Sequence, residues 1–155
     1  MAINWPILIT CIVLCNLVGA LGAIWTSSDR SWYDGINKPS FILPGGVIGS
    51  VWTLLFTLMG ISLYLVWTSP SSNIRLIALI LFAVQFVFNV AWSYLFFGLN
   101  KPFLAFIEIL ILLGLIIATT FYFFKVNKLS GYLLTPYVLW VSFASFLNYS
   151  IWRLN

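Results

Sequence analysis

Long stretches without a charged side chain constrain this chain more than any motif it carries. No Asp, Glu, Lys or Arg falls between Met1 and Ser28, between Pro39 and Ile74, or between Leu76 and Asn100. The stretch from Pro102 to Phe124 holds one, Glu108, and that from Leu129 to Trp152 holds none. Each interval supplies the ~20 predominantly apolar residues that cross a hydrocarbon core about 30 Å thick. Only 6% of residues are charged and 63% are hydrophobic, whereas a soluble domain covers itself with roughly 25% charged residues. The solvent of this chain is therefore lipid. Its apolar runs are continuous rather than alternating over ~10 residues, which excludes barrel strands. The expectation is an all-α integral membrane protein: one domain over 1–155, a five-transmembrane-helix bundle with spans near 6–26, 46–67, 76–97, 103–124 and 133–152.

The first run has no basic n-region and no small-x-small cleavage site, so it reads as a retained span rather than a signal peptide. A plasma membrane of a bacterial cell fits the short termini. The formal net charge of +4 is spread over short loops, which suits contact with lipid headgroups and predicts no nucleic-acid partner. An odd number of spans places Arg30, Lys38, Lys101 and Arg153 on one side and Arg75, Lys125 and Lys128 on the other. Four against three leaves the orientation open under the positive-inside rule.

The chain has no histidine, and its acids are Asp29, Asp34 and Glu108. A carboxylate pair, a Gly-rich phosphate loop and a metal-ligating cluster are all lacking, so hydrolytic, metal-dependent and nucleotide-dependent mechanisms lack their parts. No metal site and no required cofactor are expected. Cys11 and Cys15 share a helix face and read as small packing residues. Glu108, about 10 Å below the loop by helix rise, is expected to be protonated or paired near the interface, with a proton relay as the alternative.

At 100° per residue, Gln85, Asn89, Trp92 and Phe96 fall on one stripe of the third span. Gly49, Trp52, Phe56, Met59 and Leu63 do the same on the second, and Trp140, Ala144, Leu147, Asn148 and Ile151 on the fifth. Trp52, Asn89, Trp92 and Ala144 all lie about 8–12 Å below one membrane face, with Trp140 deeper. Packing between helices is one reading, since amides there exchange hydrogen bonds worth ~0.6 kcal/mol. The other is an aromatic pocket with a few placed polar groups. Trp5, Trp25, Trp67 and Trp152, near span ends, read as interfacial anchors. Asn16, Gly19, Ala20 and Ala23 make a small-residue face on the first span, expected to admit a neighbouring backbone. The loop at about 27–45 contains Pro39, Pro44 and Gly45-Gly46, which break a continuous helix. Its Trp32, Tyr33, Phe41 and Ile42 give it an apolar side, as expected of a lid.

Four segments, in order, carry a more specific signal: WYDGINKPSF in the loop, GSVWTLLFTLMGISLYLVW in span two, QFVFNVAWSYLFF in span three and PYVLWVSFASFLNYSIW in span five. They resemble the signatures of the tryptophan-rich sensory protein/translocator protein family, also called peripheral-type benzodiazepine receptors. The resemblance runs from about Asn16 to Asn155. It implies a five-helix bundle, often a homodimer, with a pocket covered by the first loop. It also implies binding of porphyrins such as protoporphyrin IX and haem, and of benzodiazepine- or isoquinoline-type ligands. Light- and oxygen-dependent breakdown of protoporphyrin IX is implied as well, with Trp52 and Trp140 in the catalytic role. Carried over residue by residue, the pocket positions are Tyr33, Pro44, Trp52, Asn89, Trp92, Trp140, Ala144 and Leu147. Phe41, Leu43 and Phe56 depart from the family pattern and suggest a drier pocket mouth.

The functional expectation is a membrane receptor for tetrapyrroles or other hydrophobic small molecules. The porphyrin would be ligand or substrate, Asn89 and Trp92 would face it, and its propionates would reach Arg30, Lys38 or Lys101. A transporter is the alternative, and would rest its coupling on Glu108.

Overall fold

The computed structural model describes residues 3–28 and 30–155, with only the backbone of Ser28; Asp29 lies outside the described residues. The helices are α1 (Trp5–Ser28), α2 (Ser31–Gly35), α3 (Gly45–Trp67), α4 (Asn73–Ser93), α5 (Pro102–Val126) and α6 (Lys128–Leu154). Among the described residues, five of them are long and apolar enough to cross a membrane. The protein is an integral membrane protein.

Local chemistry sets the helix ends. The Ser72 hydroxyl accepts the Arg75 N–H (3.1 Å) and caps α4. Pro102 occupies the first turn of α5, where no backbone N–H is needed. Asn127 Oδ1 accepts the Ser130 N–H (3.2 Å), so α6 starts at Lys128 rather than at 133. Apolar patterning misses that start because the first turn is polar: Ser130 turns inward, its hydroxyl bonding to the Phe123 and Asn127 carbonyls.

The spanning helices close into a ring in the order α1, α3, α6, α5, α4, and α3 also touches α4 across it. The ring is filled by large side chains, among them Phe56, Met59, Phe82, Phe123, Leu134 and Tyr137. A smaller cluster around Phe96, Ala105 and Ile151 lies toward the loop side. Outside, residues such as Leu17, Leu54, Val87, Ile111 and Leu139 are exposed, which carries no penalty where the surroundings are lipid tails.

A close backbone approach occurs at Gly60. A Cβ there would stand 2.5 Å from Ile12 Cα and 2.9 Å from its N, so α1 and α3 touch main chain to main chain. The small-residue face expected to do this is divided instead. Gly19 lies against the ring of Phe56, Asn16 donates to Thr57 Oγ1 (3.4 Å), and Ala20 and Ala23 are exposed. Glu108 is buried inside the ring. Both of its oxygens lack a hydrogen-bond partner among the described residues, so the expected pairing is not present.

Candidate functional site

The α3 stripe faces the ring interior because its apolar residues recur at helical spacing. Phe56 and Met59 are buried, and Trp52 packs beside them, half-buried. On the neighbouring helix in the ring, Tyr137, Trp140 and Ala144 share the inward face of α6. Trp52 stacks on Phe56 (centroids 5.5 Å apart, 27°), meets Tyr137 edge-on (6.1 Å, 69°) and stands perpendicular to Trp140 (6.4 Å, 89°). Trp52 and Trp140 thus form an aromatic corner. The Trp140 indole nitrogen is buried there without a hydrogen-bond partner among the described residues.

Beside the corner runs a chain of side-chain hydrogen bonds. Asn89 Nδ2 donates to the Tyr137 hydroxyl (2.9 Å), which donates to Gln85 Oε1 (2.8 Å). Gln85 Nε2 is left without a partner among the described residues, next to a gap too narrow for water that Phe82, Ile116 and Leu134 help to line. Nearer the loop, Trp92 stacks on Phe96 (5.1 Å, 22°) and donates its indole N–H to Asn148 Oδ1 (2.9 Å). Asn148 Nδ2 donates to the Pro102 carbonyl (2.8 Å), which joins α4, α6 and α5. The Nδ2 of Asn89 and the indole N–H of Trp92 are therefore engaged within the protein, whereas the buried Trp140 N–H is not engaged by any described residue.

After Ser93, α4 continues as one π-helical turn, Tyr94–Gly98, in which the Leu99 N–H bonds to the Tyr94 carbonyl (2.8 Å). The extra residue lets adjacent side chains both turn toward the bundle: Phe96 is buried and Phe97 is half-buried against Trp92 (6.0 Å). The lid docks on this turn. Trp32 meets Phe96 (5.7 Å), and Tyr33 meets Phe97 (5.4 Å). Burial lifts the Tyr33 phenol above its ordinary pKa, with Arg30 opposing and Asp34 adding to the shift, so it remains a neutral hydroxyl. Lys38 lies over the Tyr33 ring (4.7 Å) and donates to the Asp34 carbonyl (3.2 Å).

Farther along, the lid is latched to the end of α6. The Asn37 N–H donates to Asn155 Oδ1 (2.9 Å), Asn155 Nδ2 donates to the Asn37 carbonyl (2.9 Å), and Asn37 Nδ2 donates to the Leu154 carbonyl (3.3 Å). Phe41 then stacks on Phe146 (5.3 Å, 19°). Exposed hydrogen bonds contribute about 0.5–1 kcal/mol each. Asn155→Ala is accordingly expected to speed amide hydrogen exchange at 36–42 by about tenfold, leaving α3 to α6 unchanged. Equal exchange in the variant would show that this latch does not hold the lid.

The structure brings Trp52, Trp140 and Ala144 into the main core and Tyr33 and Leu147 into the upper cluster; Trp92 touches both. Asn89 reaches the corner through Tyr137. Pro44 stands apart, exposed at the start of α3. Tyr137 and Asn148 organise the site although neither is among the pocket positions read from the sequence. Helical spacing from Trp140 and Ala144 places Tyr137 on the inward face, so that signal is present in the chain. The partner each selects is not. Among the described residues no three His, Cys, Asp or Glu side chains gather, and the site offers aromatic faces and amides.

A model described as the TspO/MBR family matches residues 11–153. The chain is 40% identical over 150 residues to the tryptophan-rich protein TspO of Chlorobaculum tepidum, covering 94% of this chain and 93% of that one. It is 37% identical over 126 residues to the translocator protein of Homo sapiens, covering 80% and 75%. Identity to the tryptophan-rich sensory protein of Cereibacter sphaeroides is 30% over 155 residues, covering 100% and 95%.

Proposed function

The chain belongs to the TspO/MBR family of membrane sensory and translocator proteins, and from that premise we propose that it is a receptor for flat hydrophobic ligands. Tetrapyrroles such as protoporphyrin IX and haem are the natural class, and benzodiazepine- or isoquinoline-type molecules fit the same description. The aromatic corner of Trp52 and Trp140 carries the reading. Its buried Trp140 N–H lacks an acceptor among the described residues, and a buried donor without a partner calls for one. A planar ligand with a carbonyl or ring nitrogen supplies both the π-face and the acceptor. Bound protoporphyrin IX would undergo light- and oxygen-dependent breakdown, in which the excited ligand generates the reactive oxygen and Trp52 and Trp140 act as redox partners. No acid–base pair is needed for that chemistry. A homodimer is the expected assembly.

The test is a protoporphyrin IX titration of the detergent-solubilised protein, followed by tryptophan fluorescence in the dark and by absorbance under light. Wild type should show saturable quenching and then bleaching to a new pigment. In the Trp52→Phe, Trp140→Phe double variant, dark affinity should fall by no more than about tenfold, because phenyl rings retain the aromatic faces. Bleaching should nearly cease. Unchanged bleaching would remove the indoles from the chemistry, and absence of saturable binding would remove the receptor. One observation favours a second reading: both oxygens of the buried Glu108 lack a partner among the described residues. Protoporphyrin IX flux across proteoliposomes that vanished in Glu108→Gln would make the protein a transporter.

A further inference from the structure

Where the lid, the α4–α5 connection and the last turn of α6 meet lies an open groove of about 550 Å³. It lies outside the aromatic corner and shares none of its residues. Asn100 takes a positive φ of 54°, a left-handed conformation that asparagine tolerates. The chain reverses there, and Lys101 and the first turn of α5 border the groove. Trp32 and Ile36 of the lid, Phe103 and Leu104 of α5 and Trp152 of α6 form its apolar walls. Lys101 is exposed, and its ammonium makes no hydrogen bond or ion pair with any described residue. Among the described residues it is the one cation lining the groove.

The groove opens onto the lipid-facing side of α5. Leu104, Ile107 and Ile111 are 42%, 43% and 50% exposed, and their i, i+3, i+7 spacing makes a continuous apolar strip running from the groove toward the membrane interior. Two indoles and an unpaired cation at the helix ends are the composition of a headgroup layer. We infer that the groove is a binding site for an anionic phospholipid, with the phosphate on Lys101, the glycerol region between Trp32 and Trp152, and an acyl chain along Leu104, Ile107 and Ile111.

Charge and shape select this occupant. A soluble anion would satisfy Lys101 and leave the strip uncovered, and a zwitterionic lipid would bring its own ammonium to the same place. The inference is independent of the ligand at the aromatic corner, so the two fail separately.

Native mass spectrometry of the full chain, titrated in detergent with phosphatidylglycerol or phosphatidylcholine, tests it. A lysine at the membrane surface discriminates between such headgroups by about fivefold. Wild type should therefore retain phosphatidylglycerol about fivefold better, Lys101→Gln should lose that preference, and Lys101→Arg should keep it. Lys128→Gln, on the opposite face, serves as a charge-matched control and should behave as wild type. Circular dichroism would verify that each variant is folded. Equal retention of phosphatidylglycerol by wild type and Lys101→Gln would overturn the site. Displacement of the lipid by millimolar glycerol 3-phosphate would overturn it in favour of a soluble-anion site. A preference lost equally in Lys128→Gln would reduce it to net charge.

Discussion

Replacing Gly60 with leucine is expected to abolish the native packing of α1 on α3. Even a methyl group at this position would stand 2.5 Å from Ile12 Cα and 3.0 Å from the Cys11 carbonyl oxygen. Those are backbone atoms, which have no rotamer to move into, so relief comes only by parting the helices. Overpacking typically costs about 1–3 kcal/mol where side chains can adjust. Here they cannot, and Gly60→Ala should already cost about 3 kcal/mol. Gly60→Leu should fail to give a monodisperse peak on size-exclusion chromatography in detergent. Gly114 is the internal control. Apart from its own helix backbone, no described atom lies within 4 Å of the corresponding Cβ, so Gly114→Ala should leave the melting temperature unchanged or raise it, since alanine favours the helix by up to ~1 kcal/mol. A Gly60→Ala protein that melts with wild type would show that the two backbones are not in contact.

Tyr137→Phe should cost about 2 kcal/mol although it removes a single oxygen. The phenyl ring keeps the contact with Trp52, 6.1 Å between centroids, so packing is nearly unaltered. What changes is the hydrogen-bond chain. Asn89 Nδ2 loses its acceptor and Gln85 Oε1 its donor, while Gln85 Nε2 already lacks a partner among the described residues. Water cannot take the place of the hydroxyl, because the adjoining gap is too narrow for it. The loss is therefore the full desolvation of two buried groups rather than the ~0.6 kcal/mol of an average interhelical hydrogen bond. Adding Gln85→Leu to Tyr137→Phe should restore part of the stability, since it removes both unpaired atoms of Gln85 and leaves only Asn89 Nδ2. Thermal unfolding of wild type, the single variant and the double variant decides it. A single variant as stable as wild type would show that the chain of hydrogen bonds contributes little.

The candidate site is partly legible in the sequence for a definite reason. Helical period fixes which side of a helix a residue occupies, so residue spacing alone assigns Trp52 on α3 and Trp140 on α6 to inward faces. Depth follows from helix rise, which places Asn89 and Trp92 in the same layer. Period and rise do not specify partners. Asn89 reads as a donor to a ligand and Trp92 as an aromatic face for it, yet Asn89 donates to Tyr137 and Trp92 to Asn148. Gly19 and Gly60 are both small residues facing a neighbouring helix, and only the three-dimensional packing shows that one meets a ring and the other a backbone.

The sequence by itself determined that this chain lives in lipid, that it crosses five times as helices, and which faces of α3, α4 and α6 turn inward. Charge-free length and 3.6-residue periodicity are local properties, readable along the chain. The tertiary structure alone decided that the helices close in the order α1, α3, α6, α5, α4, that Asn37 finds Asn155 118 positions away, and that the Trp140 N–H remains without a partner among the described residues. In a bilayer the hydrophobic drive between helices is absent, so close fit and hydrogen bonding select among arrangements. Those terms depend on which atoms meet, and residues far apart in the chain meet only after it has folded.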